Sequence, residues 1–231
     1  VTNPLPPRGL PLAFVADLDT PVLEPDDHHH LARVLRLRVG DPLAVSDGNG
    51  AWRRAAFAES PAPDGPIERA DSPLPNITLV FALPKGDRPE WIVQKGTELG
   101  IDRFVPMHSA RSVVRWEGPK SAKQIERLHR ISREAAMQSR RPWLPRIDEP
   151  TAFVRCLELE GAVVAEPGGD LPTLDRATII IGPEGGFTDD ELALAPATVG
   201  LSSLVLRVET AALAAAAIFT ALRDQRCNPI R

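Results

Sequence analysis

The run Ile179-Ile180-Ile181 leads directly into Gly182-Pro183-Glu184-Gly185-Gly186, and this junction constrains the fold more than any other feature of the chain. A strand that is apolar at every position has no face to give to water, so it must lie in a sheet covered on both sides, the habit of parallel sheets. Similar short runs occur at Ile77–Leu83, Phe104–Pro106, Ala162–Ala165 and Leu204–Arg207, with Thr178–Ile181 as the strand before the glycines. Helical patterns alternate with them. Arg88–Leu99 follows Asp87 as cap, with Glu90 at the capping-box position and Gly100 as the stop. Ser121–Ser139 carries Ile125, Leu128, Ser132 and Ala135 on one face and Lys123, Arg127, Arg130 and Glu134 on another. Ala211–Gln225 is the last helix, and Thr188 with Glu191 forms a capping box after the glycine turn. Strands alternating with helices predict an α/β domain.

The first seventy residues follow another plan. Leu12–Ala16, Pro42–Ser46 and Trp52–Ala58 read as strands, with Asp47-Gly48-Asn49-Gly50 turning the last two into a hairpin. A helix over His28–Leu37 follows Asp26 and Asp27, either of which suits a cap. Short strands around one helix predict a small β-barrel. Pro61–Pro66 reads as a surface loop and Ser72-Pro73-Leu74-Pro75 as the linker, so the boundary falls there.

Of 231 residues, 43% are apolar and 25% charged, which excludes wholesale disorder. No apolar run reaches the roughly 18 residues of a membrane helix, and Val1-Thr2-Asn3-Pro4 lacks the plan of a signal peptide. Cys156 and Cys227 stand alone, which leaves no disulfide framework or cysteine-built zinc site and suits a reducing, cytoplasmic setting. The net charge of −4 hides an asymmetry: Lys85–Arg146 holds 14 Lys and Arg against 7 Asp and Glu. A basic face on an acidic body is the footprint of a nucleic-acid partner, although a solvated helix surface produces it equally well.

Three strand ends carry candidate chemistry. The 182–187 loop is neither a Walker loop nor the dinucleotide GxGxxG. Glu184 inside it argues against phosphate and suits a ligand with positive charge or hydroxyl donors. In Leu204–Ala211 a strand runs into a helix with Glu209 and Thr210 at the junction, where helix N–H groups are available to a ligand, although Thr210 serves equally well as a simple helix cap. Val163–Gly169 is a third strand ending in glycines. Together the three loops would frame one pocket. His28-His29-His30 invites a metal, but consecutive helical residues point in different directions, so no metal site is expected. Trp91 reads as core, Trp116 beside Arg115 as a base-stacking candidate, and Trp143 as a further one.

Gly182-Pro183-Glu184-Gly185-Gly186-Phe187 and Leu206-Arg207-Val208-Glu209-Thr210-Ala211 closely resemble the signature of the RsmE-type 16S ribosomal RNA uridine-N3 methyltransferases, of the SPOUT class. The resemblance continues through Lys95–Gly100, Arg111-Ser112, Glu134–Arg140, His30–Arg36 and Val39-Gly40-Asp41, in order along nearly the whole chain. It implies a PUA-like β-barrel over 1–73 that binds RNA. Over 76–231 it implies a SPOUT methyltransferase domain with a deep trefoil knot, S-adenosyl-L-methionine (AdoMet) as donor, and a homodimer. The substrate implied is 16S rRNA of the small ribosomal subunit. The cofactor positions carried over are Glu166, Pro167, Ile181, Gly182, Glu184, Gly185, Gly186, Leu201, Leu206, Arg207, Glu209, Thr210 and Ala211. Ser202 and Leu204 depart from the family, which commonly has glycine and a basic residue there.

Methylation at N3 of uracil requires loss of a weakly acidic proton, so a positioned base and fixed cations are needed. Arg111, Glu134, Gln138 and Arg140 are candidates for orienting the base, and Glu98 and Glu209 for accepting the proton. Arg33, Arg36, Lys95, Arg115, Lys123, Arg127, Arg130 and Arg141 are the expected RNA contacts. Ribose 2′-O methylation and non-catalytic RNA binding are the rival readings.

Overall fold

The computed structural model describes residues 4–227, so the ends of the ranges 1–73 and 76–231, with Val1–Asn3 of the signal-peptide reading, lie outside the described residues. The chain forms two compact units. One comprises the chain up to Ser72 with Arg133–Leu144, and the other Pro73–Ser132 with everything from Pro145 on.

In the first unit β1 (Leu12–Phe14) pairs parallel with β2 (Pro42–Ser46), which pairs antiparallel with β3 (Ala51–Ala56). The edge segments β4 (Ala62–Pro63) and β5 (Glu68–Arg69) both pair with β3, completing a five-stranded sheet. Alternation assigns Ala13, Leu43 and Val45 to one core and Leu12, Phe14, Ala44 and Trp52 to another. The expected hairpin is present, with Ser46 opposite Trp52. The helix expected over His28–Leu37 is shorter. It consists of α1 (Pro25–His29) and a π turn over His30–Val34, ending before Arg36, whose φ of 58° is left-handed. His28 stacks on Phe57 at 5.1 Å while His29 and His30 face solvent, so the three imidazoles do not converge.

The second unit is built on a seven-stranded sheet. Its strands are β6 (Thr78–Ala82), β7 (Arg103–His108), β8 (Arg146–Ile147), β9 (Thr151–Ala152), β10 (Ala162–Asp170), β11 (Thr178–Ile181) and β12 (Thr198–Val199). Their order is β12-β10-β11-β6-β7-β8 with β9 also on β7, and every pairing is parallel. Period-two alternation splits the strands' side chains between two cores. Leu79, Phe81, Phe104, Val163, Ile179 and Ile181 enter one. Val80, Ala82, Val105, Met107, Val164 and Ile180 enter the other. The first face is covered by α2 (Arg88–Leu99), the start of α3 (Pro119–Ser139) and α6 (Val208–Arg223), through Ile92, Ile125, Leu128, Ala212 and Phe219. The second is covered by α4 (Phe153–Cys156) and Phe187, which precedes α5 (Asp189–Ala193). Each fully buried Leu, Ile or Phe contributes roughly 1.5–3 kcal/mol, which is why these runs dictate the sheet. Burial pushes the Cys156 thiol up to about 12, so it packs as an apolar side chain.

Several expectations change. Leu204–Arg207 is an irregular segment, with Leu204 and Val205 largely exposed. The edge of β10 is occupied instead by Thr198–Val199, across a register shift between Ala165 and Asp170. β10 itself continues through Gly168 and Gly169, which were expected in a loop. The Asp87–Glu90 box is not made: Asp87 forms no side-chain cap bond, and Glu90 pairs with Arg127 at 2.8 Å. Arg207, not Thr210, is the N-cap residue of α6. Trp91 is exposed and Trp116 is core, reversing both readings. The Thr188–Glu191 box is present.

Helix α3 begins in the second unit and ends in the first. Arg133 pairs with Asp27 at 2.6 Å, donates to the Phe14 carbonyl at 2.9 Å and lies over the Phe14 ring. Beyond the helix, Gly50 and Leu144 close backbone bonds to Pro142 and Gly48. These bonds tie Arg133–Leu144 to the β2–β3 hairpin, whereas the sequence places them in a domain running unbroken from 76. Among the described residues no helix is long and apolar enough to cross a membrane.

Candidate active site

In the second unit the carboxyl ends of β6, β7 and β11 carry the residues with chemistry. Ile181 is the buried last residue of β11, and Gly182 follows. A Cβ on Gly182 would lie 2.7 Å from the Phe187 ring, so the loop folds back on itself only because that atom is missing. Phe187 is buried and packs against Phe153 at 4.8 Å between ring centroids. Arg111, beyond the end of β7, donates from Nη1 to the carbonyls of Gly185 (2.9 Å) and Phe187 (3.1 Å). Glu191 accepts from the N–H groups of Ala110 (2.8 Å) and Thr188 (2.9 Å). The loops after β7 and β11 are thus held together by a cation on backbone carbonyls and a carboxylate on backbone amides.

The segment 201–207 leads into α6, where Glu209, Thr210 and Ala211 occupy the first turn. Arg88, at the start of α2, places its guanidinium between two carboxylates: Nη1 is 3.6 Å from Glu184 and Nε is 3.4 Å from Glu209. The other Glu209 oxygen, Oε2, is buried without a hydrogen-bond partner. A buried carboxylate oxygen left unpaired is costly, so Oε2 calls for a donor from water, an ion or a ligand. The third segment meets β12. Gly200 N donates to the Asp170 carbonyl at 2.9 Å, and a Cβ on Gly169 would lie 2.6 Å from the Val199 backbone. Two backbones approach there as closely as glycine allows.

The expected cofactor residues therefore group by element. Glu166 and Pro167 lie on the outer half of β10, Gly182, Glu184, Gly185 and Gly186 in one loop, and Leu201, Leu206 and Arg207 in the segment before α6. Gly185 is less constrained than Gly182, since a Cβ there would make only ordinary contact with Arg111 at 3.5 Å. Of the catalytic candidates, Arg111 and Glu209 belong to the second unit, and Glu134, Gln138 and Arg140 to the first. Glu98 is paired with Lys95 at 2.8 Å. Lys123, Arg127, Arg130 and Arg115 are exposed on the second unit, with Arg127 paired to Glu90; Arg33, Arg36 and Arg141 belong to the first unit. Arg88 and Glu191 were missed as site residues; the Asp87–Leu99 pattern and the Thr188 box displayed them only as helix-start residues.

His108, the last residue of β7, accepts a hydrogen bond at Nε2 from the Trp116 N–H at 3.3 Å, which requires an unprotonated nitrogen. Burial, and then the Arg115 charge, hold its pKa below the usual 6.5, against an opposing pull from Glu117. The native state thus binds fewer protons than the unfolded chain as pH falls below about 6.5, and stability drops through that window. The urea midpoint is expected to fall between about pH 7.5 and 5.5, and to fall less in His108→Asn.

A family model described as an RNA methyltransferase domain matches residues 70–220, and one described as an RNA methyltransferase PUA domain matches residues 23–61. The ribosomal RNA small subunit methyltransferase E of Bacillus subtilis is 32% identical over 218 residues, covering 81% of this chain and 84% of that protein. The chain belongs to the ribosomal RNA small subunit methyltransferase E family. The Synechocystis member is 35% identical, over 85% of this chain and 71% of that protein. The Neisseria gonorrhoeae member, solved bound to S-adenosyl methionine, is 26% identical with a TM-score of 0.77, covering 92% of this chain and 98% of that one. The chain is an RNA methyltransferase with a PUA domain.

Proposed function

We propose that this chain transfers a methyl group from AdoMet to N3 of a specific uridine in 16S rRNA of the small ribosomal subunit. The observation that supports the AdoMet part of this reading is the convergence of Glu184 and Glu209 on Arg88, while the choice of uridine N3 rests on membership of the small subunit methyltransferase E family. AdoMet fits the residues present, because it carries net positive charge and ribose hydroxyls, and the loops offer carboxylates and glycine-exposed backbone. Ile181, Gly182, Gly185, Gly186, Leu201, Leu206, Thr210 and Ala211 would line it, with Glu166, Pro167 and Arg207 at the edges. When bound, AdoMet supplies an electrophilic methyl group. The chain's own residues supply orientation and charge: Arg111 fixes the 182–187 loop, and Glu209 holds a fixed negative charge at the start of α6.

Chemistry at N3 needs the uracil anion, and Arg140 is proposed to favour it, with Glu134 and Gln138 orienting the base. Arg140 sits directly after α3 at φ 56°, a conformation costing a non-glycine residue on the order of 1–3 kcal/mol.

The finer architecture belongs to the same reading. The domain division is proposed as 1–73, a PUA-like β-barrel that binds RNA, and 76–231, a SPOUT domain whose final segment forms a deep trefoil knot. The final helix of that domain, α6, packs on α2 and β6 and is latched by Arg223 to Asp102. A homodimer acting in the cytoplasm, without metal or membrane, completes the proposal. Arg33, Arg36, Lys95, Arg115, Lys123, Arg127, Arg130 and Arg141 are its proposed RNA contacts.

The kinetic test is single-turnover methylation of small-subunit rRNA at saturating RNA. The rate is expected to climb with pH toward the pKa of uracil. In Arg140→Ala it should fall by more than RNA affinity does. A pH-independent rate would favour ribose methylation, and loss of affinity alone would reassign Arg140 to docking.

A further inference from the structure

We infer that Arg88 sets the charge of the cofactor site, and so determines how strongly the site prefers AdoMet over the spent product, S-adenosylhomocysteine. The inference rests on the AdoMet reading above. Arg88 is at the start of α2, Glu184 in the loop after β11, and Glu209 in the first turn of α6, so one guanidinium joins three elements far apart in sequence. One cation against two carboxylates leaves a single negative charge. AdoMet has an ammonium, a sulfonium and a carboxylate, hence one net positive charge. S-adenosylhomocysteine has lost the sulfonium charge with the methyl group and is neutral overall.

The negative charge of this triad therefore adds a Coulomb term that favours the donor and that the product does not share. The Glu209 side chain is only 15% exposed, and its Oε2 is withdrawn from solvent. Its charge is consequently screened less than one on the surface. Arg88 offsets part of this field while tethering Oε1, which keeps Oε2 as the unpaired oxygen. A methyltransferase must release its product before each new turnover, and a charge-tuned preference would aid that exchange without altering shape. Arg88 is thus a specificity-determining, positioning residue, and its charge is the operative property.

The test is the ratio of dissociation constants for S-adenosylhomocysteine and AdoMet, measured calorimetrically on the full chain. Arg88→Gln makes the site more negative and is expected to raise the ratio about three- to tenfold, whatever happens to either affinity alone. Glu209→Gln should lower it by a similar factor, and Glu184→Gln, at a more exposed position, by less. Arg88→Lys retains the charge and should leave the ratio close to that of the native chain. A purely structural Arg88 would weaken both ligands together, leaving every ratio unchanged, and that result overturns the inference. Because Glu184 is exposed, Glu184→Gln keeps the test decisive even if Arg88→Gln fails to fold. Native chain that binds neither ligand would overturn the AdoMet reading itself, and this inference with it. Binding of both with invariant ratios sinks the charge role alone.

Discussion

Gly182→Val is expected to weaken AdoMet binding by at least about 30-fold, among the largest effects of any single substitution in the second unit. Even the Cβ of alanine would fall 2.7 Å from the Phe187 ring, and valine adds two methyl groups. Phe187 has no free direction to yield: it is buried, packed on Phe153, and its carbonyl is bonded by Arg111. The strain must move either the loop or the ring, and overpacking of this kind costs about 1–3 kcal/mol or more. Calorimetry with AdoMet reads the affinity. The double variant Gly182→Ala/Phe187→Leu should recover part of it, since the smaller side chain vacates the space. Unchanged affinity in Gly182→Val would remove this loop from the cofactor site. Gly185→Val should do less, because the space beside Gly185 accepts a Cβ without displacement.

The second large effect concerns stability. The Arg223 side chain, 4% exposed, donates to Asp102 at 2.6 Å and to the Gly100 carbonyl at 3.1 Å. Asp102 also accepts from the Ile77 backbone N–H at 2.9 Å, so one carboxylate joins the end of α6 to the start of β6. Truncating Arg223 removes the ion-pair partner of a carboxylate that keeps its Ile77 N–H bond, and breaking a buried pair typically costs up to about 3–5 kcal/mol. Arg223→Ala should lower unfolding stability by that amount in urea melts. Arg146→Ala, on an exposed side chain, should change it by less than about 1 kcal/mol. Comparable losses in the two variants would show that the latch adds nothing beyond an ordinary surface pair.

How far the sequence disclosed this architecture depended on the kind of signal. Thr178–Ile181 and Pro42–Ser46 fall where their apolar runs place them, because burial on a sheet is a property of the residues themselves. Thr198–Val199 is a strand through backbone contact with β10, and two residues carry no periodicity to detect. Leu204–Arg207 has the composition of a strand, but with that edge occupied its Leu204 and Val205 side chains remain exposed. Trp116 shows the same limit: its neighbour Arg115 suggested a base-stacking surface, while long-range packing placed the indole in the core. In the site, the glycine loop and Glu209 were legible because loop and helix-start chemistry is local. Arg88 was not, since its partners lie about a hundred residues away in sequence and only the folded sheet brings them together.

The position of the transferred methyl group decides which reaction the chain performs. Small-subunit rRNA lacking the modification, incubated with the chain and AdoMet and digested to nucleosides, gives a direct answer by mass spectrometry. The expected product is 3-methyluridine, with its mass shift on the base fragment, appearing only when AdoMet is present. A methyl group on the ribose fragment, or on any base other than uracil, would contradict it.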